Sequence, residues 1–219
     1  MTRGSPAIVG RGNRLSYLFG RLCDRIPGVS YVRHVLVVID RDQLPAMPRG
    51  YVVRSIDATE LAGYRIDADA TVQAERFAAG MVCLGAFDGQ GTMVGVTWVE
   101  PDAHAETVLR VRFRLPADAC WDGGLWIDEE RRLSRAFVAI WAGVGLWLEQ
   151  RGKRRSVSSI ADYNTASIAA HRRLGARTIG HVAVFRIGPT QLTMGGHIGM
   201  RATWGTRWPE VPLDRLDLR

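Results

Sequence analysis

The sequence predicts a mixed α+β fold, and three observations lead to that prediction. Short runs with strand character and segments of helical periodicity follow one another in an irregular order. An Asp-Gly turn joins two apolar runs, which is typical of an antiparallel hairpin. One long apolar helix comes after several strands instead of alternating with them. This order does not fit the regular strand–helix alternation of a dinucleotide-binding sheet, so a layered α+β fold is expected.

Residues 14–26 are predicted to form an amphipathic helix, with Leu15, Leu18, Phe19 and Leu22 on one side. The segment is rich in arginine, a feature of solvated leaders, of organelle transit peptides and of helices that lie on their own domain. It lacks the apolar core of a secretory signal. A strand over 35–39 is expected to follow.

The central elements are predicted from local start and stop signals. Residues 51–56 form a strand, and Asp57 or Thr59 is expected to cap the helix after it. A second helix is expected to end at Gly80, before the hairpin with its Asp88-Gly89 turn. The predicted ranges are a helix over 71–79, hairpin strands over 81–87 and 93–99, extended segments over 109–115 and 120–127, a long helix over 134–150, and strands over 155–162 and 178–187.

Composition limits the function. The chain has 219 residues, 47% of them hydrophobic, and a net charge of +7, as in a globular protein with an anionic partner. Lys153 is its only lysine, so a lysine nucleophile is disfavoured, whereas arginines suited to phosphate or carboxylate are plentiful. Three separated cysteines form no disulfide framework, which predicts a reduced, cytoplasmic location. The histidines show no metal-ligand spacing, so no metal is expected.

A polar turn joins the strand over 120–127 to the long helix. The first N–H groups of a helix lack intrahelical partners and its dipole attracts anions, so this junction is a candidate anion site. Arg131, Arg132 and Arg135 add positive charge there. The alternative is that these arginines balance the three acidic residues before them in a solvated turn.

A short helix is predicted after Asn164, whose side chain can cap its first turn. Gly175 can close that helix in a left-handed conformation. Ser167 and His171 share one side of the helix with Asn164. A surface helix normally turns apolar residues inward, so this polar side is expected to meet a ligand.

The element order and the first motif resemble the GNAT superfamily of acyl-CoA-dependent N-acyltransferases over residues 50–188. The family's cofactor loop reads Arg/Gln-x-x-Gly-x-Gly/Ala at the start of its central helix. Residues 131–136 match it at Arg131 and Ala136 and depart from it at Ser134, which stands at the middle glycine.

The family's next motif reads Asn-x-x-Ala/Ser-x-x-x-Tyr-x-x-x-Gly-Phe. It is matched here at Asn164, Ser167 and Gly175, whereas His171 takes the tyrosine position and Ala176 the phenylalanine position. The two motifs occur in the family's order, with a predicted strand between them.

The resemblance implies a mostly antiparallel central sheet flanked by helices, with the long helix after the cofactor turn. It implies a domain over 50–188, an N-terminal extension over 1–49 made of a basic helix and a strand, and a tail over 189–219 that packs on the domain. Acetyl-CoA or another acyl-CoA is the implied co-substrate. The residues expected to bind it are Trp126, Ile127, Arg131, Arg132, Leu133, Ser134, Arg135, Ala136, Asn164 and Ser167.

Amine acylation needs a neutral amine and a proton donor for the departing thiolate. His171, at the family's tyrosine position, is the candidate acid, and the alternative is a helix-face histidine hydrogen-bonded to a strand. Glu100 and Asp122 are candidates for the general base through a water. Their alternative is an ordinary strand-end or surface carboxylate.

The predicted function is therefore N-acyl transfer, with acetyl passing from acetyl-CoA to a primary amine of a small molecule or protein by direct attack on the thioester. The alternative is a catalytically inactive acyl-CoA-binding or sensing module, because Ser134, His171 and Ala176 depart from the family pattern. A third alternative, a basic nucleic-acid or membrane-surface protein led by the N-terminal segment, is disfavoured, since aromatic interleaving and a recognition helix are absent. The longest apolar run, 136–148, is too short for a membrane span. A homodimer is compatible with the sequence.

Overall fold

Local capping signals place the helices close to where the sequence predicts them. Asp57 caps its helix by accepting a hydrogen bond from the Glu60 N–H at 2.8 Å, and Asp69 caps the next through the Val72 N–H at 2.9 Å. In the computed structural model, which describes residues 11–131, 134–196 and 199–214, the helices are α1 Arg11–Cys23, α2 Ala58–Leu61, α3 Ala70–Ala78, α4 Ala136–Gln150 and α5 Thr165–Arg173.

The strands form a large, mostly antiparallel sheet and a smaller one, flanked by helices, as expected of the predicted mixed α+β fold. They are β1 Val29–Asp40, β2 Tyr51–Ile56, β3 Val82–Asp88, β4 Met93–Glu100, β5 Ala103–Glu106, β6 Val111–Arg114, β7 Ala119–Ile127, β8 Arg155–Ala161, β9 Arg177–Ile187, β10 Thr190–Gly195, β11 Gly199–Trp204 and β12 Glu210–Pro212.

The chain divides into two compact units, and within the described residues the first comprises 11–39, 103–116 and 157–214. Its main strands lie in the order β11-β10-β9-β1-β8, with antiparallel pairing from β11 to β1. A small sheet of order β12-β6-β5 also belongs to this unit.

The second unit comprises 40–102 and 117–156, and its strands lie in the antiparallel order β7-β4-β3-β2. One face of the strands packs on α4 through a cluster that includes Val94, Ala136 and Ile140. The opposite face packs on α2 and α3 through Leu61, Trp98 and their neighbours. This unit is therefore a helix–sheet–helix sandwich.

Some sequence predictions require correction. The long helix begins at Ala136 instead of Ser134, because residues 134–135 lie in a turn. The segment 100–108, for which no element was predicted, contains β5, and the tail after residue 188 contributes β10, β11 and β12. β5, β11 and β12 are short or largely exposed, and the buried residues of β10 are the polar Gln191 and Thr193, so none of these strands has the alternating apolar pattern that marks a half-buried strand. None of the helices among the described residues is long and apolar enough to cross a membrane.

Two glycines of α4 provide a matched test of how closely this helix packs. A Cβ on Gly143 would lie 2.2 Å from Cγ1 of Val53, whereas one on Gly145 would meet Leu44 at 3.4 Å, an ordinary contact. We expect Gly143→Ala to destabilise the protein by about 1–3 kcal/mol through overpacking. Gly145→Ala is expected to stabilise it by up to about 1 kcal/mol through helix propensity. Urea unfolding of the pair checks this, and two changes of the same sign would contradict it.

Candidate functional site

The turn that enters α4 is organised by Asp128. Its N–H donates to the Val94 carbonyl at 3.1 Å, which ties the end of β7 to β4. The Asp128 carboxylate accepts from the Glu130 N–H at 2.9 Å, and its carbonyl accepts from the Arg131 N–H at 3.0 Å. These bonds form a short 3-10 helix over Glu129–Arg131. The first acidic residue of the turn is therefore a structural cap.

Ser134 occupies the position where the family pattern has glycine, and its hydroxyl bonds within the turn. The hydroxyl donates to the Arg131 carbonyl at 2.6 Å and accepts from the Ala136 N–H at 3.1 Å. Serine thus closes the turn and satisfies one N–H at the start of α4. This internal role of Ser134 was not predicted from the sequence.

The start of α4 retains the features of an anion site. Its first turn contains no acidic residue, so the helix dipole is not offset there. Arg131 and Arg135 are exposed, and Arg131 makes a 3.5 Å ion pair with Asp88 of the β3–β4 hairpin. Arg131 thus reaches a carboxylate outside its own turn. The other two predicted contacts, Arg132 and Leu133, lie outside the described residues.

The predicted pantetheine-docking residues end β7. Trp126 lies opposite Val96 and packs with the cluster on the α2–α3 side, whereas Ile127 lies opposite Gly95 and packs with the α4 cluster. They therefore face opposite sides of the sheet, as neighbours on a strand must.

A β-bulge interrupts β7 before Trp126. Between the pairs Val96–Trp126 and Trp98–Gly123, β7 has two residues where β4 has one, and Gly124 takes a φ of +62°. A bulge leaves one residue outside the regular pairing and bends the strand. The pair Gly123-Gly124 within an extended run is a sequence signal for a bulge, but no bulge was predicted there.

Arg76 of α3 covers the bulge. A Cβ on Gly124 would lie 2.5 Å from an Arg76 guanidinium nitrogen, so a side chain there would displace the end of Arg76, and the φ of +62° itself favours glycine. The Arg76 guanidinium also lies 5.2 Å from the centroid of the Trp98 ring, a cation–π arrangement. The α2–α3 side of the bulge thus carries a fixed positive charge that no sequence motif indicated.

The two predicted base candidates lie on opposite faces of the sheet. Asp122 is opposite Val99 and Glu100 is opposite Trp121, and consecutive strand residues alternate faces. Asp122 is 4% exposed and accepts a 2.5 Å hydrogen bond from the Ser156 hydroxyl. Glu100 ends β4 and is half-buried. The two carboxylates cannot serve one cleft together, so at most one of them is the base.

Cys120 belongs to the same buried cluster as Asp122. Its thiol donates to the Ser156 hydroxyl at 3.6 Å. Burial, reinforced by the charge of Asp122, raises the pKa of Cys120 to about 12. The thiol stays protonated at neutral pH and is unsuited to act as a nucleophile.

In the first unit, α5 has the predicted cap and stop signals. The Asn164 side chain accepts from the Ser167 N–H at 3.1 Å, and Gly175 has a φ of +88°. The N-cap role of Asn164 is therefore confirmed. The cap uses one acceptor position of the side-chain oxygen and leaves the amide N–H groups out of the capping bond.

His171 lies on the buried side of α5 and is 6% exposed. Its Nδ1 is 2.8 Å from the Ser167 carbonyl, and a carbonyl only accepts, so Nδ1 carries a proton. Nε2 is then the acceptor in the neutral ring and a second donor in the protonated ring. The Nδ1 hydrogen bond is therefore made within the helix itself. This bond fixes the ring orientation, which a proton donor requires.

A partly buried titratable cluster around the buried His34 in the first unit has no counterpart in the sequence predictions. Ser159 donates to Glu106 at 3.1 Å and lies 3.1 Å from Nδ1 of His34, while His104 Nε2 is 3.7 Å from the same carboxylate. Burial alone would raise the pKa of Glu106, but the hydrogen bond and charge of His104, the charge of His34 and the Val108 N–H together lower it to about 2.

Glu106 is expected to make the protein sensitive to acid. Its pKa is about 2 in the folded protein and 4.5 ordinarily, so its ionised form stabilises the fold above pH 4.5 and that contribution is lost as the pH falls toward 2. Burial lowers the pKa of His34, which adds loss of stability below pH 6.5. Near neutral pH, we expect the free energy of unfolding to be about 3 kcal/mol larger for wild type than for Glu106→Gln. This difference should shrink progressively as the pH falls. Urea unfolding at several pH values checks this, and a pH-independent difference would contradict it.

The solved structures similar to this chain include two that superpose with a TM-score above 0.5. A conserved protein of unknown function from Staphylococcus epidermidis superposes with a TM-score of 0.54 and 15% identity, over 78% of this chain and 66% of that one. The GCN5-related glucosamine N-acetyltransferase region of a fungal multidomain β-N-acetylglucosaminidase gives a TM-score of 0.53 and 12% identity, over 81% of this chain and 23% of that one. This chain therefore spans less than two thirds of either protein.

No protein-family model matches the sequence, and no curated protein is similar enough to count as a relative. At such low identities the structural similarities show the fold alone. The chain has the fold of the GCN5-related N-acetyltransferases, the GNAT superfamily, and the prediction of that fold is confirmed.

Proposed function

We propose that this protein is an acyl-CoA-dependent N-acyltransferase that transfers acetyl from acetyl-CoA to a primary amine. The observation that carries the proposal is the start of α4 in a GNAT fold, where a helix N-terminus without acidic residues follows two exposed arginines. Diphosphate oxygens are suited to such a site because helix N–H groups, the helix dipole and guanidinium groups all favour negative charge.

The turn and β7 have separate tasks in this proposal. Arg131, Arg135 and the amides at the start of α4 hold the phosphates, and the end of β7 docks the pantetheine arm. The bulge at Gly123-Gly124 supports this assignment, because backbone that leaves the regular pairing can hydrogen-bond to an extended ligand. The co-substrate supplies an acyl group activated as a thioester.

His171 is proposed as the general acid. Its fixed Nδ1 bond leaves Nε2 as the ring nitrogen that can pass a proton to the departing thiolate. Asp122 and Glu100 remain proposals for the base, and only one of them fits a given face of the sheet.

A second function is an acyl-CoA-binding module without catalysis. It is favoured by the same burial of His171 and by its bond to a carbonyl of its own helix, which a purely structural histidine would also show. The two functions share the site on α4 and differ only in turnover.

Binding of acetyl-CoA tests the shared part of both functions. We expect Arg131→Ala to weaken binding about tenfold or more, because a hydrogen bond to a charged group contributes about 1.5–3 kcal/mol. Isothermal titration calorimetry measures the Kd. The matched control is Arg54→Ala, since Arg54 is an exposed arginine of the same unit paired with Glu60. Equal affinities for wild type and Arg131→Ala would place the phosphates elsewhere.

A further inference from the structure

The helix α1 turns its apolar side to solvent. Leu15, Leu18, Phe19 and Leu22 are 75%, 59%, 47% and 56% exposed, and Ile26, just after the helix ends, is 54% exposed. In a helix that lies on its own domain, these large apolar residues would normally pack against the domain. In α1 they face solvent, and another side of the helix, with fewer large apolar residues, is buried.

The opposite side of α1 fixes the helix in place. Tyr17, Gly20 and Cys23 are buried, and the Tyr17 ring meets the Tyr163 ring edge-on with centroids 5.3 Å apart. Phe19 contacts Tyr31 in the same manner at 4.9 Å. α1 is therefore packed against its own unit while its leucine side remains exposed to solvent.

The exposed apolar surface continues onto the neighbouring sheet. Phe19 stacks on Phe185 of β9 with ring centroids 6.3 Å apart, so α1 lies on the face of the sheet to which Phe185 belongs. Ile187 is two residues further along and shares that face. Residues directly opposite on paired strands also share a face. Thr190 lies opposite both Ile187 and Trp204, so Trp204 is on the face of Ile187. Met194 lies opposite both Ala183 and Met200, so Met200 is on the same face, because Ala183 is two residues from Phe185.

These side chains define one surface, here named the α1–β11 surface, and its members are Leu15, Leu18, Phe19, Leu22, Ile26, Ile187, Met200 and Trp204. Ile187, Met200 and Trp204 are 56%, 72% and 69% exposed. Eight large apolar side chains exposed within one unit, and on one face, mark an interaction site.

Charge indicates the kind of partner. Arg14 and Arg21 are exposed and lie seven residues apart along the border of the leucine side, the exposed Arg25 follows the helix, and Asp24 is the one acidic residue over 11–26. Arginine stems can lie along apolar surface while their guanidinium groups reach outward to phosphate. Helices that lie in a membrane interface typically combine leucine, phenylalanine and tryptophan on one face with arginine or lysine on the other.

We propose that the α1–β11 surface binds an anionic membrane surface, with α1 in the plane of the lipid headgroups and its arginines on lipid phosphates. A second copy of the chain fits less well. A two-fold interface would bring the same arginine-lined patch against itself, and like charges across an interface are costly. An anionic lipid surface complements both the apolar and the basic side chains.

Co-sedimentation of the full chain with lipid vesicles tests this proposal. The vesicles contain phosphatidylcholine with or without phosphatidylglycerol, at low and high salt. We expect binding only when phosphatidylglycerol is present, weakened by salt because the arginine contribution is screened. Leu18→Gln combined with Leu22→Gln should lower the partition coefficient at least about tenfold. Replacing Arg14, Arg21 and Arg25 by Gln should lower it about a hundredfold, near fivefold for each charge.

Val52→Gln is the matched control, since Val52 is 61% exposed and lies on β2 in the other unit. It should bind vesicles like wild type, and all variants should keep the wild-type unfolding midpoint because every altered residue is exposed. The proposal is overturned if phosphatidylglycerol makes no difference, or if the leucine variant binds as well as Val52→Gln. It is also overturned if the protein is a dimer in solution that the leucine variant separates into monomers.

Discussion

Replacing His171 by glutamine is expected to lower kcat for acetyl transfer about 10²–10⁴-fold, the usual contribution of a positioned proton donor. Glutamine retains an amide N–H that can reach the Ser167 carbonyl, so α5 should keep its packing. It cannot protonate a thiolate. The Kd for acetyl-CoA should change little, because the proposed phosphate contacts lie on α4. Steady-state thiol release and calorimetry separate the two quantities.

His181→Gln is the control for the loss of a histidine from the same unit. His181 lies on β9 and is exposed, and the proposed reaction does not use it. Its kcat should match wild type. A His171→Gln protein with wild-type kcat would show that His171 is structural, and some other group would then have to protonate the thiolate.

Replacing Lys153 by methionine is expected to lower the free energy of unfolding by about 3–5 kcal/mol. Lys153 is 7% exposed, and its ammonium donates to the carbonyls of Pro101, Ala117 and Ala119 at 2.7, 3.1 and 2.9 Å. Asp102 adds a distant ion pair at 3.6 Å, but its side chain is 86% exposed and contributes little. The only lysine of the chain thus joins the end of β4, the start of β7 and the residues after α4.

Methionine preserves the apolar stem of Lys153 and removes the donors, so the measured loss reports on the hydrogen bonds. Urea unfolding of Lys153→Met beside Arg154→Met provides the comparison, because Arg154 is the exposed neighbour in sequence. Arg154→Met should lie within about 0.5 kcal/mol of wild type. A loss below about 1 kcal/mol for Lys153→Met would mean that the three carbonyls find other partners.

Elements with a local signal could be predicted from the sequence. The hairpin of β3 and β4 follows from its Asp-Gly turn, and α5 follows from an N-cap at Asn164 and a glycine at 175. Asp57 caps α2 as expected. Each of these features depends on residues within a few positions of one another, so the sequence carries the whole interaction.

Features that depend on distant residues could not be predicted. Ser159 lies beside His34 and Glu106 only because the fold brings three separate segments together. Arg76 reaches Gly124 from another helix, and neither residue stands in a recognisable motif. The exposed side of α1 is a further case, since periodicity shows that a helix has an apolar side but not which side packs.

In the candidate site, too, local features were predicted and features that depend on distant residues or on turn geometry were not. The arginines and the helix start of the α4 turn were predicted, and Arg131 and Arg135 lie exposed beside that start. The bond of Ser134 within the turn and the opposite orientation of Asp122 and Glu100 were not predicted, because they depend on turn geometry and strand register. The assigned roles of these residues in binding and catalysis remain proposals.

The most direct test of the proposed function is release of free CoA thiol from acetyl-CoA in the presence of a panel of primary amines. The panel includes small polyamines, amino sugars, amino acids and peptides with a free N-terminus. The proposed acyltransferase predicts amine-dependent, saturable thiol release with at least one acceptor, greatly reduced by His171→Gln. Saturable binding of acetyl-CoA without turnover on any amine would contradict catalysis and favour the binding module, and failure to bind any CoA species would contradict both.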